Sequence, residues 1–374
     1  MAARAKPPFR ADHVGSLLRP PELIAARADA AAGRITANEL RVVEDDAIRD
    51  AVRVQEELGL RGVTDGEFRR TSWHMDFIYG LDGVIAADDK VKVSFHNEGG
   101  DIEFMAPLAR VSGKVGVSAT IFGDAFTFLR QCASTGVPKL TIPSPSMVHY
   151  RGGRAAIDES VYADIEDFWQ DLTAAYRDEI GRLAELGCTY LQLDDTSLAY
   201  LNDPEQRRYM ESIGGDPDRQ HVEYIRHINE ALRDRPEGMS VTTHMCRGNF
   251  RSSWVAEGGY DHVAEALFHE LDVDGYFMEW DDERSGGFEP LRLLPPGDKQ
   301  VVLGIVTTKR GALESKDDVK RRIEEASRYA PLDQLCLSPQ CGFSSTVDGN
   351  ALTHDEQLAK LALVVEVADE VWGR

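Results

Sequence analysis

The sequence predicts an α/β fold, specifically a (β/α)8 TIM barrel, from three observations. Short apolar runs alternate with amphipathic stretches along most of the 374 residues, which is typical of successive strand–helix units. The runs are rich in Val, Ile, Leu and Thr, as in parallel strands that are covered on both faces. They number eight, the count that closes such a barrel. The predicted strands are residues 13–17, 62–65, 140–143, 189–194, 240–245, 275–280, 301–306 and 334–338.

Helical stretches fill most of the intervals between these strands. Apolar residues recur at every third or fourth position in residues 39–58, which indicates a helix with one buried face. A helix over 162–186 is expected to end at Gly187, because glycine readily adopts the left-handed conformation that terminates helices. Similar patterns predict the helices 221–233, 262–270, 316–329 and 355–372.

One region departs from this rhythm. Residues from about 88 to 123 alternate polar and apolar side chains, as in VKVSFHNEG, which is the period of a strand with one exposed face. The pattern predicts an antiparallel β insertion after the second strand. The sequence contains neither an internal repeat nor a long linker, so residues 1–374 are predicted to form a single catalytic domain.

The charge balance narrows the range of partners. The chain carries 64 acidic and 42 basic residues, a net charge of −22, and such a surface repels nucleic acids and anionic membranes. No apolar run approaches the ~18 residues of a spanning helix, and the first residues lack the apolar core of a secretory signal. Five widely spaced cysteines are typical of free thiols in a reducing cytoplasm. We therefore expect a cytoplasmic protein with small-molecule partners, and the sequence leaves a homo-oligomer open.

His244 and Cys246 lie at the end of the fifth predicted strand. Side chains alternate along a strand, so residues two apart point in the same direction. An imidazole and a thiol that converge are typical ligands of Zn²⁺. Glu279 and Cys341 lie at the ends of later predicted strands, and strand ends meet at one mouth of a barrel. These four residues are the predicted zinc ligands, held by a prefolded scaffold as in catalytic sites.

Two of these residues also have a simpler interpretation. His244 is alternatively a hydrogen-bonded core histidine, and Cys246 a small buried apolar residue. Cys336 is the next candidate if Cys341 is not a ligand. Two thiolate ligands make a metal electron-rich, which favours activation of a substrate thiol over hydrolysis. Glu279 is the hardest ligand, so we expect an incoming thiol to displace it.

Seven segments spread over nearly the whole chain resemble the C-terminal catalytic barrel of cobalamin-independent methionine synthase, in the short, single-barrel members of that family. They are, in order, HVGSLLRP, TDGEFRR, LQLDDTSL, THMC, FMEWDD, LGIVTTK and LSPQCGF. The resemblance implies that the four predicted ligands bind a catalytic zinc. It also implies that Ser16, Glu67 and Asp194 hold the amino-acid part of the substrate. The implied reaction is a methyl transfer, in which a homocysteine-like thiol attacks, as a zinc thiolate, a donor such as 5-methyltetrahydrofolate.

Two segments differ from the family pattern. The family has Asp-Ile-His after its seventh strand, and the His serves proton transfer; this chain has Thr307, Thr308 and Lys309. Lys309 is therefore, with Glu279, the catalytic candidate. Tyr200 stands where the family has an acidic residue. Alternative reactions stay open: methyl transfer from methylcobalamin, or alkyl transfer from another electrophile such as an epoxide to a coenzyme M-type thiol. A metal-free lyase similar to uroporphyrinogen decarboxylase, or a zinc-dependent binding protein, would belong to another class.

Overall fold

The structure, a computed structural model, describes residues 4–97 and 99–373 and alternates strands with helices along most of the chain. The strands in these residues are β1 (Gly62–Val63), β2 (Asp82–Asn97), β3 (Gly100–Gly116), β4 (Val137–Pro143), β5 (Tyr190–Asp195), β6 (Ser240–Met245), β7 (Gly275–Glu279), β8 (Gln300–Val306) and β9 (Leu335–Pro339). The helices are α1 (Pro21–Ala31), α2 (Ala37–Glu57), α3 (Met75–Ile78), α4 (Gly123–Cys132), α5 (Ser146–Tyr150), α6 (Ile165–Glu185), α7 (Ser197–Tyr200), α8 (Pro204–Ser212), α9 (Gln220–Leu232), α10 (Ala264–Glu270), α11 (Lys316–Ala326) and α12 (His354–Trp372).

Seven strands form one curled, parallel sheet in the order β1-β4-β5-β6-β7-β8-β9. Strands that neighbour each other in the sheet also follow each other along the chain, apart from the hairpin of β2 and β3. The register pairs Asp194 with His244 and Glu279 with Gly304, so the C-terminal ends of these strands lie side by side. The sheet is therefore barrel-like, and it delivers polar strand ends to one mouth.

The structure does not confirm the predicted count of eight strands. Residues 13–17 form no strand, and the preceding residues make only one isolated bridge to β9. Asp12 N donates to Leu337 O of β9 at 3.0 Å, while Leu17 N donates to Gly66 O, just after β1, at 3.1 Å. The Asp12 carboxylate accepts backbone N–H bonds from two nearby residues of its own segment. These local bonds turn the chain, so the segment lies between β9 and β1 without regular pairing.

The predicted antiparallel insertion is present, and it begins earlier than expected. β2 and β3 pair from Asp82 opposite Gly116 to Asn97 opposite Gly100. His96 N donates to Trp254 O at 2.6 Å, and Trp254 N donates back to His96 O at 2.9 Å. Because Trp254 belongs to the segment that follows β6, these bonds fix the hairpin over the mouth of the sheet.

Six predicted helices are confirmed to within a few residues, as α2, α6, α9, α10, α11 and α12. Capping boxes begin α2 at Thr36 and α12 at Thr353, which satisfies backbone N–H groups that a helix start leaves free. The sequence pattern missed α1, because its buried residues are only Leu23 and Ala26. Across the described ranges, every helix is too short or too polar to span a bilayer.

Candidate metal centre

Three strand ends bring the four predicted ligands together. His244 lies in β6, and Cys246 is the first residue after that strand. Glu279 is the last residue of β7, and Cys341 lies two residues beyond the end of β9. One ligand atom from each residue lies within 4.8 Å of the other three. The sulfurs of Cys246 and Cys341 are 3.4 Å apart, and all four side chains are buried. The parallel register therefore produces a compact cluster from residues that are far apart in the chain.

The cluster contains buried polar atoms that lack a well-aligned hydrogen bond. Nδ1 and Nε2 of His244 and Oε2 of Glu279 make no hydrogen bond within the described residues. Leaving a buried polar atom unpaired costs roughly 1–3 kcal/mol, and a bound cation would remove much of that cost. One nitrogen, two sulfurs and one carboxylate oxygen are a tetrahedral Zn²⁺ set. The donor set therefore fits zinc, and it does not fit Mg²⁺ or Ca²⁺, which prefer oxygen ligands throughout.

Because the sulfurs of the two cysteines are hydrogen-bonded to each other, the ionisation of one thiol affects the pKa of the other. A hydrogen bond from Cys246 lowers the pKa of Cys341 well below its ordinary value, and the positive charge of His244 adds to this effect. The pKa of Cys246 is raised well above its ordinary value, because its proton is bound to Cys341 and a second thiolate would form beside the first. Burial disfavours the charged form of His244, but the Cys341 sulfur raises its pKa overall. A metal ion would displace these protons.

Glu279 also has cationic and backbone neighbours outside the cluster. Its Oε1 accepts a hydrogen bond from Arg247 N at 3.2 Å, and its Oε2 lies 3.9 Å from Arg284 Nη1. Burial raises the pKa of Glu279, and the charge of Lys309 opposes that rise. Lys309 is buried, with Nζ 4.0 Å from an oxygen of Asp281. Lys309 therefore adds positive charge next to the cluster.

A cavity of about 360 Å³ opens beside the cluster. His244, Cys246 and Cys341 line it, whereas Glu279 and Lys309 are not among its lining residues. Glu279 and Lys309, the two residues predicted to be catalytic, are therefore further from the cavity than the other three members of the cluster. The volume is at the lower end of the ~300–1,000 Å³ that is usual for small-molecule sites, so the cavity suits small substrates.

The hairpin supplies an apolar wall of this cavity. Phe95 of β2 and Phe104 of β3 both line it, together with Phe250 from the segment after β6. The ring centroid of Phe250 lies 5.3 Å from that of Phe95 and 4.9 Å from that of Phe104. This aromatic contact shields the cavity from solvent. The alternation in the sequence predicted the hairpin, but it did not predict which strand ends the hairpin would cover.

Glu67 and Asp194, two of the three predicted substrate-binding residues, line the cavity as buried carboxylates. Oε1 of Glu67 accepts a hydrogen bond from the Thr141 hydroxyl at 2.8 Å and lies 3.5 Å from Arg70 Nη1. Oδ1 of Asp194 accepts a bond from Gln192 Nε2 at 2.7 Å. Burial raises the pKa of Glu67 and raises that of Asp194 to about 7. Glu67 also has a φ of 60°, an uncommon conformation that often accompanies functional sites.

Ser16, the third predicted substrate-binding residue, also lines the cavity. Its Oγ accepts a hydrogen bond from Ser344 N at 3.3 Å, and its backbone oxygen accepts one from Phe343 N at 3.0 Å. These bonds join the first segment of the chain to the loop that carries Cys341. The Ser16 hydroxyl proton remains available to an acceptor.

Cys336, the alternative ligand, does not belong to the cluster. It packs inside the sheet with Val14, Phe277 and Val302. Sequence reasoning missed another wall residue, Arg151, which follows α5 and lines the cavity. An isolated arginine after a short helix carries no pattern in sequence, so only its position beside the cavity marks it.

The curled parallel sheet and the His–Cys–Glu–Cys cluster at its mouth define a barrel-like α/β protein with a candidate metal centre. A family model described as the catalytic domain of cobalamin-independent synthase matches residues 146–370. The chain therefore belongs to that family, which confirms the resemblance of its motifs.

Individual relatives are similar to this chain over most of its length. An uncharacterized Bacillus subtilis protein, YxjG, is 49% identical over 370 residues, which is 99% of this chain and 96% of that protein. A solved structure from Listeria monocytogenes, described as a candidate vitamin B12-independent methionine synthase, is 37% identical, with a TM-score of 0.78 over 99% of this chain and 100% of that chain. A methionine synthase from Sulfolobus acidocaldarius is 23% identical over 89% of this chain and 85% of that protein.

Proposed function

We propose that this chain is a zinc-dependent methyltransferase that methylates the sulfur of a small, homocysteine-like thiol. The observation that carries the proposal is a two-cysteine metal-type cluster that shares one cavity with the carboxylates of Glu67 and Asp194. Relatives that are named methionine synthase support the same class of reaction. His244, Cys246, Glu279 and Cys341 would hold the zinc. When bound, zinc would keep a substrate thiol, whose pKa is ~8.5 in water, in its nucleophilic thiolate form.

The chain's own residues would bind and orient the amino-acid part of the thiol. Glu67 and Asp194 provide two buried carboxylates for a substrate ammonium group, and Arg70 near Glu67 favours the ionised form of that carboxylate. Ser16 would donate its hydroxyl to the substrate carboxylate, because its Oγ already accepts a bond from the backbone. A charge-assisted hydrogen bond contributes more than a neutral one, so these contacts favour amino-acid thiols over simple thiols.

The transfer forms a bond between the substrate sulfur and the methyl carbon and breaks the bond between that carbon and the donor, whose leaving atom keeps the electron pair. With 5-methyltetrahydrofolate, the proton lost by the thiol is balanced by the proton that the leaving nitrogen takes up. The hairpin phenylalanines would exclude water from the cavity during this step. Lys309 would act through its charge on Glu279 and Asp281, since it does not line the cavity. 5-Methyltetrahydrofolate is the leading donor, with methylcobalamin or another electrophile as the alternatives.

The charge of the cavity argues against the metal-free lyase. A decarboxylase of substrates with many carboxylates needs several cationic side chains around its ligand. Among the described residues that line the cavity, Arg151 is the only lysine or arginine. Two buried carboxylates line the same space, and they would repel a polyanionic substrate.

Metal analysis combined with a methyl-transfer assay tests the proposal. We expect about one zinc per chain, lost in Cys246→Ser and retained in the matched control Cys336→Ser, because only the first cysteine belongs to the cluster. The zinc-loaded protein should methylate homocysteine from 5-methyltetrahydrofolate or methylcobalamin. Folded protein that binds no zinc, or zinc protein that methylates no amino-acid thiol from these donors, would contradict the proposal.

A further inference from the structure

Arg151 is a cationic wall residue held in place by aromatic rings. It lies at the C-terminal end of α5, and its side chain lines the same cavity as the metal-type cluster. The central guanidinium carbon lies 5.2 Å, 5.3 Å and 6.0 Å from the ring centroids of Tyr150, Tyr200 and Tyr209. Contacts between a cation and ring faces favour a defined position of the guanidinium. Tyr200 lines the same cavity as Cys246.

Arg151 lacks the protein partners that neighbouring arginines have. Within residues 4–97 and 99–373, no carboxylate lies within 4.0 Å of its guanidinium, and its side chain donates no hydrogen bond to the chain. In contrast, Arg70 donates to Thr141, and Arg284 forms an ion pair with Asp281. A guanidinium has five N–H donors, so an arginine without protein acceptors on a cavity wall is suited to bind an acidic ligand group.

The residues around Arg151 leave its positive charge uncompensated. His74 lines the cavity nearby, and burial lowers its pKa to about 3, with a further contribution from the charge of Arg151. Its imidazole is therefore neutral at physiological pH. Burial raises the pKa of Tyr200 well above its ordinary value, so that hydroxyl is neutral as well. Tyr200 occupies the position at which the family pattern has an acid, and the tyrosine supplies no counter-charge.

The carboxylates that line the cavity have other partners. The exposed Asp348 forms an ion pair with Arg251 at 2.9 Å, and the other two have a role in the proposed function, on which this inference rests. Glu67 and Asp194 would bind the ammonium of the thiol substrate, and Ser16 its carboxylate. The segment after Arg151 runs beside β3, because Asp158 N donates to Val111 O at 3.0 Å. The segment that follows Arg151 therefore contacts β3, the strand that contributes Phe104 to the wall of the same cavity. An acidic group bound at Arg151 would therefore belong to a ligand other than the thiol substrate.

We infer that Arg151 forms an anion subsite that binds a carboxylate of the methyl donor, while the apolar part of the donor packs against Phe95, Phe104 and Phe250. Two sources share this chemistry. One is the glutamate carboxylate of 5-methyltetrahydrofolate. The other is a small onium acid such as dimethylsulfoniopropionate, whose positively charged methyl centre would contact aromatic faces favourably.

Equilibrium dialysis at low ionic strength tests the subsite with both sources. The probes are 5-methyltetrahydrofolate monoglutamate, dimethylsulfoniopropionate and the corresponding neutral amides. The wild-type protein should bind at least one acid about tenfold more tightly than its amide, since a charge-assisted bond provides this factor or more. Arg151→Gln should bind acid and amide equally. Arg151→Lys should keep part of the preference, because lysine retains the charge but loses the bidentate geometry.

A surface substitution and two independent measurements make the result specific. Arg219→Gln removes the same charge from an exposed position and should keep the full preference of the wild type. Absence of an acid preference for both probes, or a preference that survives Arg151→Gln, would overturn the inference. The acid that the wild-type protein prefers over its amide identifies the source of the bound carboxylate, either the folate or the onium acid. Zinc content and homocysteine binding should be unchanged in Arg151→Gln. If the wild-type protein binds neither zinc nor homocysteine, the proposed function fails. The dialysis result would still show whether Arg151 binds a carboxylate.

Discussion

Removal of the Arg247 side chain should destabilise the protein strongly, because this arginine ties together the loops around the metal-type cluster. It directly follows Cys246, and its side chain is fully buried. Its guanidinium donates five hydrogen bonds: to Gly258 O at 3.0 Å, Tyr260 Oη at 2.8 Å, Glu279 O at 3.0 Å, Gly259 O at 3.2 Å and Ser285 O at 3.5 Å. Arg247→Met would fill similar space and remove the donor of four backbone carbonyls, whereas Tyr260 Oη would still accept a hydrogen bond from Glu279 N at 2.8 Å.

The magnitude follows from these bonds. A net contribution of about 1 kcal/mol for each bond gives about 5 kcal/mol in total. Relief of the cost of burying a charge returns part of that sum, so we expect a loss of about 3 kcal/mol in the free energy of unfolding. The zinc affinity should fall as well, since Arg247 N also donates to the Glu279 carboxylate and the loop would shift.

Urea denaturation with linear extrapolation measures this loss directly. The matched control is Arg251→Met, because Arg251 is exposed and makes one ion pair, with Asp348 at 2.9 Å. Exposed ion pairs contribute at most about 1 kcal/mol, so the control should stay close to the wild type. If Arg247→Met unfolded at the same urea concentration as Arg251→Met, the hydrogen bonds of Arg247 would not hold these loops together.

Three further predictions concern the site and its surroundings. Glu67→Gln and Asp194→Asn should each raise KM for homocysteine about tenfold or more, with a smaller change in kcat, because each removes a charged partner of the ammonium group; an unchanged KM would refute that role. Addition of homocysteine to the zinc-loaded protein should raise the number of sulfur neighbours in zinc X-ray absorption by about one, and a constant number would refute displacement of Glu279. Burial raises the pKa of Glu179 to about 7, so the folded protein keeps a proton that the unfolded chain releases above about pH 4.5, and stability falls as pH rises from about 4.5 to 7. Glu179→Gln should therefore be more stable than the wild type by on the order of 2 kcal/mol at about pH 8 and equal to it at about pH 4; equal stability at both values would contradict this assignment.

Sequence reasoning was most successful where a local period carries the information. The strand that contains His244 is visible as a continuous apolar run and the helix α2 as a 3–4 repeat, and both occur close to the predicted bounds. It was less successful where neighbouring side chains override the pattern. The apolar segment 13–17 has strand-like composition, yet the carboxylate of Asp12 bonds to the local backbone and prevents regular pairing.

Sequence by itself determined the four ligand-type residues, because strand alternation and strand-end position are local properties and the chemistry of His, Cys and Glu is fixed by residue type. Only the tertiary structure decided which of them line the cavity. It put Glu279 and Lys309 behind the cluster and Cys336 inside the sheet, and it brought Arg151 and the hairpin phenylalanines to the cavity wall. These relations join segments distant in the chain, and they depend on how the hairpin and helices pack, which no local period encodes.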